Sequence, residues 1–175
     1  MARTIKKIWN MINGVLIGLA VLLAVALVGV RFTGLDLYVV LSGSMEPAYK
    51  TGSLIYVKEV DASALAVGDV ITYRLDSDTV ATHRIVGVTQ EDGETAYRTK
   101  GDANEIEDGS SVKAGQVIGS PVFTIPHLGY FVTYLQTTSG RYATIAAGAV
   151  LLLMIVLPDM IFGSDEEKKS EETSE

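Results

Sequence analysis

The sequence predicts a mainly β domain carried between two apolar helices, each long enough to cross a membrane. Three observations predict it. An uncharged apolar run lies near each end, short alternating segments fill the middle, and no long capped helical pattern interrupts them. At 175 residues there is room for one globular domain and not for two large ones. The expected division is a cytoplasmic N-terminus over residues 1–10 and a transmembrane helix over 11–31. An extracytoplasmic β-domain over 32–141 follows, then a second transmembrane helix over 142–162 and an acidic, disordered cytoplasmic tail over 163–175.

The first span rests on residues 12–30, which are 19 residues without a charge and with Asn13 as the one strongly polar side chain. A helix of that length covers about 28 Å, close to the hydrocarbon thickness of a bilayer. A secretory leader has a shorter apolar core and a small-residue cleavage site, so a permanent anchor fits better; a cut within residues 24–29 is the alternative. Arg3, Lys6 and Lys7 precede the run and place the N-terminus in the cytoplasm, because topology follows Lys and Arg near a span.

The second apolar block covers residues 142–162, with Pro158 and Asp159 interrupting its far end. Residues 143–157 alone are short for a span and would also suit a buried core helix. Ala146, Ala147, Gly148 and Ala149 favour the span, since small residues let helices approach closely in lipid. Two spans return the C-terminus to the cytoplasm and leave the middle outside, a multi-pass protein of a cell membrane.

The middle stretch reads as strands and turns. Segments 37–41, 53–58, 68–75, 79–89, 95–100 and 117–125 are rich in apolar and β-branched residues, the last of them one or two strands around Pro121. Asp76-Ser77-Asp78 and Glu91-Asp92-Gly93-Glu94 supply turns between them. His127, Tyr130, Phe131 and Tyr134 precede the second span, where aromatic residues sit at headgroup level.

Charge and composition exclude several classes. The net charge of −7 is uneven: residues 31–141 hold 9 basic and 14 acidic residues, and residues 159–175 hold 2 basic and 7 acidic. An acidic outer domain argues against nucleic acid, and the tail reads as solvated disorder. With no cysteine there is neither disulfide nor thiol nucleophile. Two distant histidines make no metal cluster and no phosphate-binding glycine loop follows a strand, so neither metal nor cofactor is expected.

What chemistry remains lies in three short stretches. Leu41-Ser42-Gly43-Ser44-Met45-Glu46-Pro47 offers Ser44 as a nucleophile in a small turn near the first span, although Gly, Ser and Pro are also ordinary turn residues. A serine hydroxyl needs a neighbouring base to attack an amide. His83 within Val80-Ala81-Thr82-His83-Arg84-Ile85-Val86 is the candidate, with Ala81, His83, Ile85 and Gly87 on one strand face; among such neighbours a hydrogen-bonded core histidine is the competing reading. The third stretch runs from Lys100 to Gly109, where Asp102 and Asp108 are carboxylates able to orient a histidine, while a solvated or cation-binding turn would look the same.

The ordered set S-G-S-M-E-P, T-H-R-I-V and K-G-D-A-N-x-x-x-D between two spans resembles signal peptidase I. The resemblance is to the endoplasmic-reticulum and archaeal type, also found in some bacteria, in which histidine replaces a catalytic lysine. Val67-Gly68-Asp69-Val70-Ile71 is similar to a further block, and the likeness covers roughly residues 10–125. It implies a membrane-anchored extracytoplasmic β-domain of signal-peptidase type acting on signal-peptide-bearing preproteins, with the lipid bilayer as its other partner. It further implies Ser44 as nucleophile, His83 as general base, Asp108 as the triad carboxylate and Asp102 as a supporting one. The Ser44 backbone N–H and the Ser42 hydroxyl become the oxyanion donors. Leu41, Met45, Ala81 and Thr82 become candidates for shallow pockets that prefer small side chains. Ala103 departs from the family's frequent Asn, and the second span, present in only part of the family, is read from hydropathy alone.

The alternative is a membrane-tethered, non-catalytic β module for binding or assembly, which leaves the three motifs as coincidence. A soluble self-cleaving repressor-type peptidase fits less well, because residues 12–30 argue for an anchor. Histidine titrates near pH 6.5 when unperturbed, so activity is expected to fall on acidification. The sequence names no accessory subunit.

Overall fold

The computed structural model describes residues 2–91 and 93–162. The acidic tail expected over 163–175 and Asp92 of the expected hairpin turn lie outside the described residues. The chain divides into two compact units, Leu27–Tyr134 and the combination of Met1–Ala26 with Leu135–Glu175.

The first unit is a seven-stranded sheet, and the mainly β expectation holds for it. Its strands are β1 (Leu35–Val39), β2 (Leu54–Lys58), β3 (Val70–Arg74), β4 (Val80–Glu91), β5 (Glu94–Lys100), β6 (Val112–Lys113) and β7 (Val117–Ile125), in the order β1-β2-β7-β3-β4-β5-β6. All pairings are antiparallel. The β3–β4 turn closes as the sequence suggests, with Asp76 Oδ1 accepting from the backbone of Asp78 at 2.9 Å and Thr79 at 2.7 Å. Around Pro121 there is one strand, β7, which pairs with β3 at its start and β2 at its end. The β2–β7 register shifts between Tyr56 and Val57, where Pro121, which has no N–H to donate, is the partner of Val57.

Alternation builds the core. Ile71 and Tyr73 from β3, Ile85 from β4, Tyr97 from β5 and Val112 from β6 form one buried cluster. Leu54, Ile55, Tyr56 and Val57 are buried in succession along β2, together with Met45. In β4 the register shifts between Ile85 and Gly87, so Val86 is an extra residue and the regular alternation read from the sequence stops at Ile85.

Two elements depart from expectation. β6 is two residues long, too short to show periodicity, and exists through pairing of Ala96 with Lys113 and Tyr97 with Val112. Tyr130, Phe131 and Tyr134 lie on a helix, α2 (Leu128–Gln136), whose short length gave no helical signal.

The second unit holds two long helices, α1 (Ala2–Leu27) and α3 (Thr138–Phe162). Within them Lys7–Leu27 and Thr138–Val156 are long and apolar enough to cross a membrane. Both helices begin before the expected spans, because hydropathy marks the apolar part of a helix and not its ends. At the start of α3, Thr137 Oγ1 accepts from Gly140 N at 3.0 Å, a hydroxyl cap that hydropathy cannot register.

Candidate active site

Ser44 is held by a loop closed at both ends. Beyond β1, Val40 N donates to Ser53 O at 2.9 Å, and Gly52 N donates back to Val40 O at 2.8 Å. Inside the loop Glu46 N reaches Gly43 O at 3.0 Å, Tyr49 N reaches Met45 O at 2.9 Å, and the Glu46 carboxylate accepts from Thr51 N and Oγ1. Met45 is buried beneath the turn and anchors it. Gly52 is in the left-handed region (φ 79°), and a Cβ there would lie inside the Tyr130 ring, so helix α2 can rest directly on the loop.

From the sheet, β4 presents His83 on the face of the core cluster. Its Nε2 lies 3.1 Å from Ser44 Oγ, and its Nδ1 lies 2.6 Å from Asp108 Oδ2. The imidazole is 14% exposed and the Asp108 carboxylate 22%. Two further hydroxyls converge on the same carboxylate oxygen: Thr99 Oγ1 donates at 2.6 Å and Tyr73 OH at 3.1 Å. Thr99 also takes the backbone N–H of Asp108 on its carbonyl, at 2.8 Å. Burial alone would raise the Asp108 carboxyl. The bonds from Thr99 and His83, the histidine's charge and the Tyr73 bond together hold it below the ordinary carboxylate range. Burial pushes Tyr73 up to about 12, so its hydroxyl stays protonated and remains a donor.

Asp102 goes elsewhere. Its carboxylate takes a bidentate pair from Arg84, Nε at 2.8 Å and Nη2 at 2.7 Å, and Arg84 Nη1 donates to Gly68 O at 2.7 Å. The Arg84 hydrogen bonds hold the Asp102 carboxyl down against its partial burial. The same loop clips Ser44 directly, because Ala103 N donates to Ser44 O at 2.8 Å. That clip uses backbone, so it does not depend on the Ala103 side chain. A Cβ on Gly101 would lie 2.6 Å from Ser44 O, so the close approach requires glycine there.

Ser42 Oγ lies 3.1 Å from Ser44 Oγ, and this contact is exposed. Both hydroxyls line a cleft of about 550 Å³ with His83, and Leu41, Met45, Ala81 and Thr82 are all in its wall. Tyr38, Val39, Val40 and Val80 add to the apolar lining. Thr82 shares its hydroxyl with Thr72 at 2.9 Å, which fixes its methyl orientation in that wall. Among the described residues no group of three His, Asp or Glu side chains gathers as a metal site.

The arrangement thus brings Ser42, Ser44, His83 and Asp108 together and places Asp102 on Arg84. Tyr73, Thr99 and Arg84 were not singled out from sequence as site residues. Their signal needs strand register: Tyr73 is opposite Ala81 and Thr99 opposite Ile85, both on the His83 side of β4.

No family model matches the chain. It is 40% identical over 115 residues to signal peptidase I W of Bacillus subtilis, covering 61% of this chain and 60% of that protein. A signal peptidase complex catalytic subunit of Rattus norvegicus is 33% identical over 127 residues, 66% of each chain. The corresponding subunit of Verticillium alfalfae is 35% identical over 132 residues, 67% of this chain and 73% of that protein. The chain spans 60% and 66% of the length of the first two of these curated relatives.

Proposed function

Since this chain belongs to the signal peptidase I family, we propose that it is a membrane-bound serine endopeptidase that removes N-terminal signal peptides from exported preproteins. One observation carries the reading: the hydrogen-bonded series Ser44–His83–Asp108 opens on an apolar cleft. In the proposed reaction His83 Nε2 takes the Ser44 proton as Oγ attacks the scissile carbonyl. The Asp108 carboxylate accepts from Nδ1–H, so it holds the productive tautomer and stabilises the imidazolium. Collapse of the tetrahedral species passes that proton to the leaving amine, and water then repeats the sequence on the acyl-enzyme. The oxyanion is assigned to the Ser44 N–H and the Ser42 hydroxyl.

Apolar walls with Ala81 and Leu41 beside the serine favour an extended segment with small side chains next to the cut. Such a segment would run along β1, which among the described residues stands at one end of the strand order beside β2.

Membrane anchoring is part of the proposal. Leu19, Leu22, Ile145 and Leu152 are each at least 60% exposed on the two long helices. Apolar surface of that extent is unfavourable in water and favourable in hydrocarbon. With Arg3, Lys6 and Lys7 on the cytoplasmic side, the β unit lies outside, where exported chains emerge.

The test is cleavage of a signal-bearing preprotein by the purified full chain in lipid. Wild type should release the mature product and Ser44→Ala should be inactive at least ~10³-fold. Full cleavage by Ser44→Ala would remove Ser44 as the nucleophile, and binding without cleavage by wild type would favour the non-catalytic module.

A further inference from the structure

We propose that Tyr73 and Thr99 are positioning residues of the site, holding Asp108 Oδ2 on His83 Nδ1 and thereby fixing which imidazole nitrogen faces Ser44. The consequence for catalysis rests on the peptidase reading above. The arrangement itself rests on the hydrogen bonds.

A carboxylate oxygen on a loop has several rotamers open to it, and only one presents Oδ2 to the imidazole. Thr99 removes the others twice over, through its hydroxyl at 2.6 Å and its carbonyl on the Asp108 N–H at 2.8 Å. Thr99 is fully buried in β5, so both contacts are delivered from the rigid sheet. Tyr73 acts on the tautomer. Its hydroxyl is 3.1 Å from Asp108 Oδ2 but also 3.5 Å from His83 Nδ1 and 3.2 Å from Thr99 Oγ1. If that hydroxyl donated to Nδ1, the imidazole would carry its own proton on Nε2 and could not accept from Ser44. Thr99 already spends its proton on Asp108, so the Tyr73 proton is directed to the carboxylate or the threonine oxygen. Nδ1 is thereby left as a donor to Asp108, and the Nε2 lone pair faces Ser44 Oγ at 3.1 Å.

The experiment uses the full chain in lipid with Thr99→Val, Thr99→Ser and Tyr73→Phe, measuring cleavage kinetics and the His83 ring N–H resonance, assigned against His127→Gln. Thr99→Val and Tyr73→Phe are expected to lower kcat roughly tenfold or more each, with KM within about twofold. Thr99→Ser should restore kcat, and the ring N–H resonance should shift in both of the damaging variants. Wild-type kcat in both, a resonance unmoved by either, or Thr99→Ser as poor as Thr99→Val would overturn the proposal. If wild type cleaves nothing, the peptidase reading fails, and the resonance still decides whether these hydroxyls hold the Asp108–His83 bond.

A separate observation in the helix unit supports a second inference: α1 and α3 are clasped at a carbonyl that Pro158 frees. In a continuous helix the carbonyl of residue 154 accepts from the N–H of residue 158, and proline has none. Helix α3 nevertheless continues to Phe162. Met154 O instead receives Trp9 Nε1 and Asn13 Nδ2, each at 2.8 Å. These donors are one turn apart on one face of α1, so two lone pairs meet two donors. Asn13 is only 7% exposed, and its Oδ1 has no partner, so the amide is aimed at the carbonyl at the expense of its own acceptor. In hydrocarbon a freed carbonyl has no water to turn to, which makes the pairing specific to this height on both helices.

Because the chain has no cysteine, spin labels on cysteines introduced at the exposed positions Leu19 and Ile145 report the helix pair in bicelles. A narrow distance distribution is expected, broadening partly in Trp9→Phe or Asn13→Leu and fully in the double variant. An unchanged distribution in the double variant, or in both single variants if the double does not express, would overturn the clasp.

Discussion

The loop that follows β5 has two ends with the same chemistry and opposite uses. At one, Asp102 meets Arg84; at the other, Asp108 meets His83. The two basic partners are consecutive residues of β4, which alternation sends to opposite faces of the strand. One loop therefore grips both sides of β4. A guanidinium is permanently charged, so the Asp102 pair is a fixed clamp, and its neighbours Gly101 and Ala103 bear on the backbone of Ser44. An imidazole has one nitrogen to hold the Asp108 carboxylate and a second 3.1 Å from Ser44 Oγ, the geometry the proposed proton transfer uses. What separates the two carboxylates here is the residue each one faces.

The comparison breaks most visibly at Asp108. Asp108→Asn should retain the fold and lower kcat on a preprotein by about 10³–10⁴-fold, because the amide can no longer dictate the productive tautomer. A loss below tenfold would place Asp108 outside the proton path. Asp102→Asn should act mainly on stability. Losing a bidentate pair to a partly buried guanidinium is expected to lower unfolding free energy by about 1–3 kcal/mol, read by thermal melting, with kcat reduced less than about tenfold. An equal kinetic effect at both positions would erase the distinction.

The smallest expected effect is on the acid limb of stability. Both carboxyls are held below their ordinary range, so the unfolded chain binds their protons first as pH falls. Their stabilisation is complete above the unfolded carboxyl pKa of about 3.9 and is lost as pH drops through the lower folded values. Wild type should therefore lose Tm more steeply than Asp102→Asn between about pH 4 and pH 2.5. Parallel curves would mean that the Arg84 pair contributes nothing to acid stability.

Much of this arrangement is readable along the chain, and the unread part has a common cause. The Ser44 turn announces itself through Gly43 and Pro47, and the strands through alternation, because both are local properties. The choice between Asp102 and Asp108 is not local, since both lie in one loop and either could be drawn toward a histidine. Tyr73 and Thr99 look like ordinary strand residues until β3, β4 and β5 are in register. The two-residue β6 has too few positions to carry a period, and hydropathy located the apolar stretches of α1 and α3 while missing their polar first turns.

Local chemistry is enough to set two apolar helices, a mainly β middle and a serine in a tight turn, because hydropathy, alternation and turn residues act over a few neighbours. Which groups meet is decided only by pairing strands far apart in sequence. Bonding β4 to β3 and β5 carries His83 to Tyr73, Thr99 and Asp108, and turns Arg84 toward Asp102. A hydrogen bond discriminates over tenths of an ångström, and that precision comes from the assembled sheet.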